Sequence, residues 1–280
     1  GPTGCGKTKI VEAMAEIIFE DAHKFLKINC AEFQHNHEIA KLIGAPPGYL
    51  GHNETKPIFT QENLNSYQSK DDKLTIVLLD EFEKASDELA QLMLGVLDKG
   101  TLKLGNNSEV NFCKTIIIMT SNLGAREISK TVGKKMGFSS ESPRTKDRQK
   151  LDNQIYRTAL EAAKKYFSPE FMNRLDKVIV FRSLEAEQLR IILDLELKAV
   201  QKRITANVGA KFSFRCTETA RDFLLAEGTD DAYGARPLKR AIDRFMIKPF
   251  SKMVSSKQIE GGDYVIVNHV DGKDRLTFTK

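Results

Sequence analysis

The chain has no tryptophan and only four cysteines, Cys5, Cys30, Cys113 and Cys216, none of them in C-x-x-C spacing. That scatter excludes a disulfide-stapled secreted scaffold and fits a reducing, cytoplasmic compartment. Long apolar runs are missing too. None approaches the roughly 20 residues that a membrane-spanning helix needs, and no secretory signal is visible, so no membrane partner is expected. Neither sign of charge dominates: 43 Lys and Arg face 38 Asp and Glu, a net +5 over 280 residues. So mild a balance does not argue for a nucleic-acid partner by itself. No internal repeat is evident. What remains is an ordinary globular composition, 41% hydrophobic and 29% charged, long enough for one large domain or for a large and a small one.

Against that plain background the first eight residues stand out. Gly1-Pro2-Thr3-Gly4-Cys5-Gly6-Lys7-Thr8 is a complete G-x-x-x-x-G-K-[ST] phosphate-binding loop. Its glycines let the backbone curl so that N–H groups point at an anionic phosphate. The helix that follows, from Lys7 through Ala15 and Ile18, adds its positive dipole end. Lys7 is expected to reach the outer phosphates and the Thr8 hydroxyl to hold Mg²⁺. A strand normally precedes such a loop, so the chain reads as a fragment of something longer. Cys5 near the helix start has the setting of a reactive thiolate that nucleotide would protect, though a small residue filling a tight turn explains it as simply.

Helices and strands alternate from there on. Phe25–Asn29 reads as a short strand, and Leu74–Leu79 is a continuous apolar run of the kind buried on both faces of a parallel sheet. Ser86 caps a helix with apolar positions at Leu89, Leu92, Met93, Val96 and Leu97, and Gly100 stops it. Thr115–Thr120 is expected as a second buried strand and Lys177–Phe181 as a third. This order implies an α/β fold, a parallel sheet sandwiched by helices. The stretch from Glu127 to Lys150 is polar and rich in Ser, Lys and Gly, and reads as a surface loop. After Phe181 the pattern changes to an amphipathic helix over about Leu184–Asn207, a strand at Lys211–Cys216, two helices and a strand pair at Tyr264–Val270 and Arg275–Thr279. A large domain over residues 1–182 and a smaller α+β domain over 183–280 are therefore expected.

The apolar strand at Leu79 runs straight into Asp80-Glu81. Ligands of doubly wound sheets gather at the carboxyl ends of the strands. A carboxylate pair there, beside a phosphate loop, divides labour: Asp80 for Mg²⁺ and Glu81 to orient and deprotonate an attacking water. This pairing favours an ATPase. Asn173-Arg174-Leu175-Asp176 imitates a GTPase base-reading motif, but it has Arg for Lys and precedes a strand rather than following one. His35, His37 and Cys30 have metal-like spacing without a fourth ligand, so no zinc site is expected.

With these residues in view the chain resembles the Clp family of AAA+ protein unfoldases, specifically the second ATPase module of the two-ring members. The resemblance spans nearly the whole chain. It rests on Leu42–Gly51 (LIGAPPGYLG), Leu79–Ala85 (LDEFEKA), Met119–Gly124 (MTSNLG), Ser168–Asp176 (SPEFMNRLD) and Tyr233–Arg240 (YGARPLKR). It implies a Mg²⁺-ATP-dependent homo-oligomeric ring, hexameric in this family, with ATP bound between the large and small domains. Asn122 takes the place of the sensor that holds the lytic water, and Arg174 that of the arginine finger serving the neighbouring subunit. Arg236 corresponds to the second sensor, reaching the nucleotide of its own chain. Tyr49 and Leu50, between Gly48 and Gly51, correspond to the pore loop that grips unfolded polypeptide, and Lys103–Val110 is a candidate second pore loop. After the pore motif this chain departs from the family with His52–Thr60. Met136-Gly137-Phe138 resembles the tripeptide that protease-coupled members dock into a ClpP-like protease, with local packing as the plainer alternative. Two other readings stay open: a nucleic-acid remodeller of the same superfamily, which would carry basic residues on the pore loop, and an ATP-binding regulatory scaffold.

Overall fold

The computed structural model describes residues 1–45, 56–125, 127–128, 145–206, 211–229, 234–270 and 272–280, the side chains of 145–149 and 151 aside. The chain divides into two compact units, one of Gly1 and Gly6–Phe181, the other of Pro2–Cys5 and Arg182–Lys280.

In the first unit the order is α1 (Lys7–Phe19), β1 (Leu26–Asn29), α2 (Ala40–Ile43), α3 (Gln61–Ser66), β2 (Thr75–Asp80) and α4 (Asp87–Lys99). There follow a hairpin of β3 (Thr101–Lys103) and β4 (Glu109–Asn111), then β5 (Thr115–Met119), α5 (Thr145–Tyr166) and α6 (Pro169–Arg174). β2 lies between β1 and β5, parallel to both. Successive side chains of a strand face opposite ways, and β2 uses both directions. Ile76 and Leu78 pack with Val11 and Ala15 of α1, while Val77 and Leu79 join the cluster that holds Leu89, Met93 and Val96 of α4. Full burial of each such aliphatic side chain contributes roughly 1.5–3 kcal/mol, so the apolar run of β2 is the keel of this unit. α4 starts as its sequence suggests, with the Ser86 hydroxyl accepting from the Leu89 N–H at 3.4 Å, and Gly100 ends it at φ 66°.

Three expectations fail here. Thr115–Met119 pairs as β5, but it is half-buried along its length and lies at the edge of the sheet formed by the described strands. Lys177–Phe181 joins no ladder of the described strands, and Ile179 is 63% exposed. The segment buries one side only: Val180 packs on Ile128, Ile155 and Ala159, so its apolar residues serve a side cluster instead of the sheet. The polar stretch 127–150 is not all loop either. Ile128 is fully buried, and the chain is helical from Thr145.

The second unit contains α7 (Ala186–Ala206), β6 (Ser213–Cys216), α8 (Glu218–Gly228), α9 (Arg236–Ile242), α10 (Lys248–Ser255), β7 (Tyr264–His269) and β8 (Leu276–Thr279). A wide π-type turn over Asp243–Ile247 joins α9 to α10, so residues 236–255 form one continuous helical stretch. β7 pairs in parallel with β6 and antiparallel with β8. Leu193, Leu197, Leu224, Leu238, Phe250 and Val267 meet in its core.

Because Leu78 is completely buried, Leu78→Ala is expected to lower the unfolding free energy in urea by about 2–5 kcal/mol. A loss below about 1 kcal/mol would contradict the packing described.

Candidate active site

The phosphate loop leads into α1 through Gly4 and Gly6, at φ 75° and 98°. A side chain at Gly6 would be strained by that backbone, and around it lies open space within 4 Å. The Cys5 thiol donates to the Pro2 carbonyl at 2.9 Å and is 8% exposed, so it fills the inside of the turn. Lys7 opens α1 and Thr8, half-buried, follows it. The Lys7 ammonium donates to the Gly1 carbonyl at 2.8 Å and to Asn122 Oδ1 at 2.7 Å.

Parallel pairing brings the acidic residues to the same end. Leu79 pairs with Met119, which carries Thr120 alongside Asp80. The Thr120 hydroxyl donates to Asp80 Oδ1 at 2.5 Å and accepts from the Glu81 N–H at 3.1 Å. Lys27 reaches Asp80 Oδ2 at 2.8 Å. Glu81 is held at φ 57°, ψ 47°, a left-handed conformation that costs a residue with a side chain roughly 1–3 kcal/mol and collects at functional sites. Its carboxylate meets Lys84 at 2.5 Å. Glu83 Oε1 accepts from the Asn122 N–H at 3.0 Å. Beneath these carboxylates burial, helped by the charges of Asp80, Glu83 and Glu81, pushes the Cys30 thiol up to about 12. Cys30 is fully buried while His35 and His37 are exposed and stack at 5.7 Å, so the three do not converge.

The two candidate arginines lie on other elements. Arg174, at the end of α6, pairs with Asp98 in the last turn of α4 at 2.8 Å, both side chains over 40% exposed (46% and 42%). Arg236 is exposed at the start of α9 in the second unit. Just before it, the Ala235 N–H donates to the Gly4 carbonyl at 3.3 Å. Gly234 is at φ 57°, where a Cβ would lie 2.9 Å from the Thr3 and Gly4 carbonyl oxygens; only glycine fits. A cavity of about 50 Å³ in the same unit is lined by Pro2, Thr3, Leu184, Leu189 and Thr229. Tyr49, Leu50 and the tripeptide Met136-Gly137-Phe138 lie outside the described residues.

The donor set fits nucleotide and Mg²⁺. Thr8 and Asp80 offer hard oxygens, and Mg²⁺ is ordinarily held by one or two protein oxygens together with waters and phosphates. In keeping with that, no group of three or more His, Cys, Asp or Glu able to hold a metal alone occurs among the described residues. The family model for the AAA domain (Cdc48 subfamily) matches residues 1–178, and that for the C-terminal, D2-small domain of ClpB protein matches 184–267. The chain belongs to the Clp family of AAA+ proteins. Chaperone protein ClpB of Rhizobium meliloti is 35% identical over all of this chain and 29% of its own length. Chloroplastic ClpC of Pisum sativum is 36% identical over 98% of this chain and 28% of its own. S. cerevisiae Hsp104 in complex with casein, in an extended conformation, superposes with a TM-score of 0.79 at 27% identity, covering 100% of this chain and 44% of that one. A closed-state Hsp104 reconstruction with ATPγS and FITC casein gives 0.77 at 27% identity over 99% and 44%. The chain therefore spans less than a third of the curated relatives it matches.

In this Clp-family module sequence reasoning passed over Thr120, Glu83 and Lys27. Thr120 was within reach, since aligning the apolar runs of β2 and β5 places it beside Asp80. Glu83 carried no linear signal, because its partner Asn122 lies 39 positions away.

The buried thiols set an alkaline limit on stability. Burial also pushes Cys216 up to about 12, so in the unfolded chain both thiols ionise first, from the ordinary value of 9.0. Their contribution is complete below pH 9 and is lost as pH rises toward 12. Unfolding free energy measured across that window should fall with pH, and less steeply in Cys30→Ala; equal slopes would contradict the buried, neutral thiol.

Proposed function

We propose that this module hydrolyses Mg²⁺-ATP and works, within its full-length protein, as one subunit of a ring, hexameric by family resemblance, that unfolds polypeptides by threading them through a central channel. The observation that carries this reading is the placement of Asp80, Glu81 and Asn122 at the carboxyl ends of the adjacent parallel strands β2 and β5, with Lys7 of the G-K-T motif bonded to Asn122. Residues 1–182 are read as the large ATP-binding domain and 183–280 as the small lid domain.

The loop N–H groups and Lys7 hold the phosphates, and Thr8 and Asp80 would hold the cation. Bound Mg²⁺ supplies Lewis-acid neutralisation of phosphate charge. Glu81 accepts a proton from the attacking water, and Asn122 orients that water. Arg236 reads the nucleotide of its own chain. Arg174 acts on the nucleotide of the neighbouring copy: its exposed pair with Asp98 is of the kind worth at most about 1 kcal/mol, so the guanidinium is released at little cost. An arginine supplied in trans stabilises transition-state charge by several orders of magnitude in rate.

Relatives named as chaperones and the casein complexes of Hsp104 support polypeptide as substrate. Tyr49 and Leu50 between glycines favour gripping a chain through apolar contact rather than through charge, which speaks against nucleic acid. Four free thiols, three of them buried, suit a cytoplasmic setting. Docking of a ClpP-like protease through Met136-Gly137-Phe138 is a branch of the same reading, checked by protease pull-down with Phe138→Ala.

In the full-length protein, Glu81→Gln is expected to bind ATP normally and to hydrolyse it about 100-fold more slowly. Tyr49→Ala should keep hydrolysis but lose ATP-driven unfolding of a tagged reporter. Wild-type unfolding by Tyr49→Ala would contradict threading.

A further inference from the structure

We infer that Glu83 is a positioning residue for hydrolysis that acts through Asn122; this rests on the ATPase reading of the site given above. Glu83 lies in the tight turn Phe82–Lys84 that follows Glu81. Its Oε1 accepts from the Asn122 N–H at 3.0 Å, and Asn122 Oδ1 in turn accepts from the Lys7 ammonium at 2.7 Å. One carboxylate therefore fixes the backbone of the residue whose amide meets the phosphate lysine. The link runs from the acidic turn after β2 to the residues just beyond β5 and on to the start of α1.

The second oxygen distinguishes this from an ordinary structural contact. Glu83 Oε2 is buried and has no hydrogen-bond partner among the described residues. Buried polar atoms are almost always paired, and a carboxylate left half-satisfied lowers stability. A glutamate present for stability would pair both oxygens or give way to an apolar residue. A retained cost of this kind belongs with sites that need the group for something else.

Nor does the turn need the carboxylate to hold its place. The Tyr166 hydroxyl donates to the Glu83 carbonyl, and the Phe82 ring stacks on Phe171 at 5.3 Å and on Phe167 at 5.7 Å. Removing the carboxylate thus leaves the turn's backbone supported and takes the Glu83 acceptor away from the Asn122 N–H. A loosened Asn122 would no longer tell a γ-phosphate from its absence, while the loop contacts to the remaining phosphates persist.

The test uses the full-length protein with Glu83→Ala and Glu83→Gln, reading kcat, KM, the affinities for ATPγS and ADP, and the thermal midpoint. Glu83→Ala is expected to lower kcat and the ATPγS-to-ADP affinity ratio each by roughly tenfold. Its ADP affinity and thermal midpoint should stay at or above wild type. Glu83→Gln, whose amide oxygen can still accept from the Asn122 N–H, should recover most of both. Wild-type kcat and affinity ratio in Glu83→Ala would overturn the inference. So would a fall in the midpoint with equal loss of both nucleotides that Gln does not rescue. A wild-type protein that hydrolyses no ATP would instead overturn the ATPase reading, and the role of Glu83 with it.

Discussion

The parallel pairing of β2 between β1 and β5 is the constraint on which this chain depends. Both faces of β2 are buried, Ile76 and Leu78 toward α1, Val77 and Leu79 toward α4. A slip of one residue would exchange the two faces, so the register is firmly specified by packing alone. That register decides the chemistry as well. Leu79 opposite Met119 sets Thr120 beside Asp80 and carries Asn122 around to Lys7. Buried aliphatic side chains thus determine where the charged ones meet.

The site concentrates features that a purely stable fold would avoid. Asp80, Glu81 and Glu83 crowd the end of β2 and the turn after it, where their charges act on the buried Cys30, Glu81 adopts a left-handed backbone, and one oxygen of Glu83 lacks a hydrogen-bond partner among the described residues. Two lysines pair with the cluster, Lys27 with Asp80 and Lys84 with Glu81, while Lys7 meets the neutral amide of Asn122. Thr120 compensates for the strain at Glu81 by accepting its N–H. Free energy stored in this way, and offset by the core behind it, is characteristic of groups pre-arranged for chemistry.

Much of this was legible in the linear pattern, because its signals are local. The loop Gly1–Thr8, the apolar runs of β2 and β5, and the Ser86 and Gly100 boundaries of α4 are each set by neighbours within a few residues. What escaped was non-local. Thr120 and Glu83 matter through partners about forty positions away, and hydrogen bonding across a sheet leaves no trace in periodicity. Lys177–Phe181 looks like a buried strand because its alternation is apolar, yet Val180 serves the small cluster around Ile128 and Ile155. α5 was hidden by composition: its first turns are highly polar, so only its later residues carry an apolar face.

On the function proposed above, the catalytic pocket is complete only when adjacent copies share it, with Glu81 from one and Arg174 from the next. Full-length Glu81→Gln and Arg174→Ala proteins, each strongly impaired alone, can be mixed and assayed for ATP hydrolysis across their ratio. A shared pocket predicts that activity appears in the mixtures, since an Arg174→Ala copy with intact Glu81 can borrow the finger of a Glu81→Gln neighbour. Mixtures that hydrolyse no more than the sum of their parts, at ratios where mixed assembly is verified, would contradict the account.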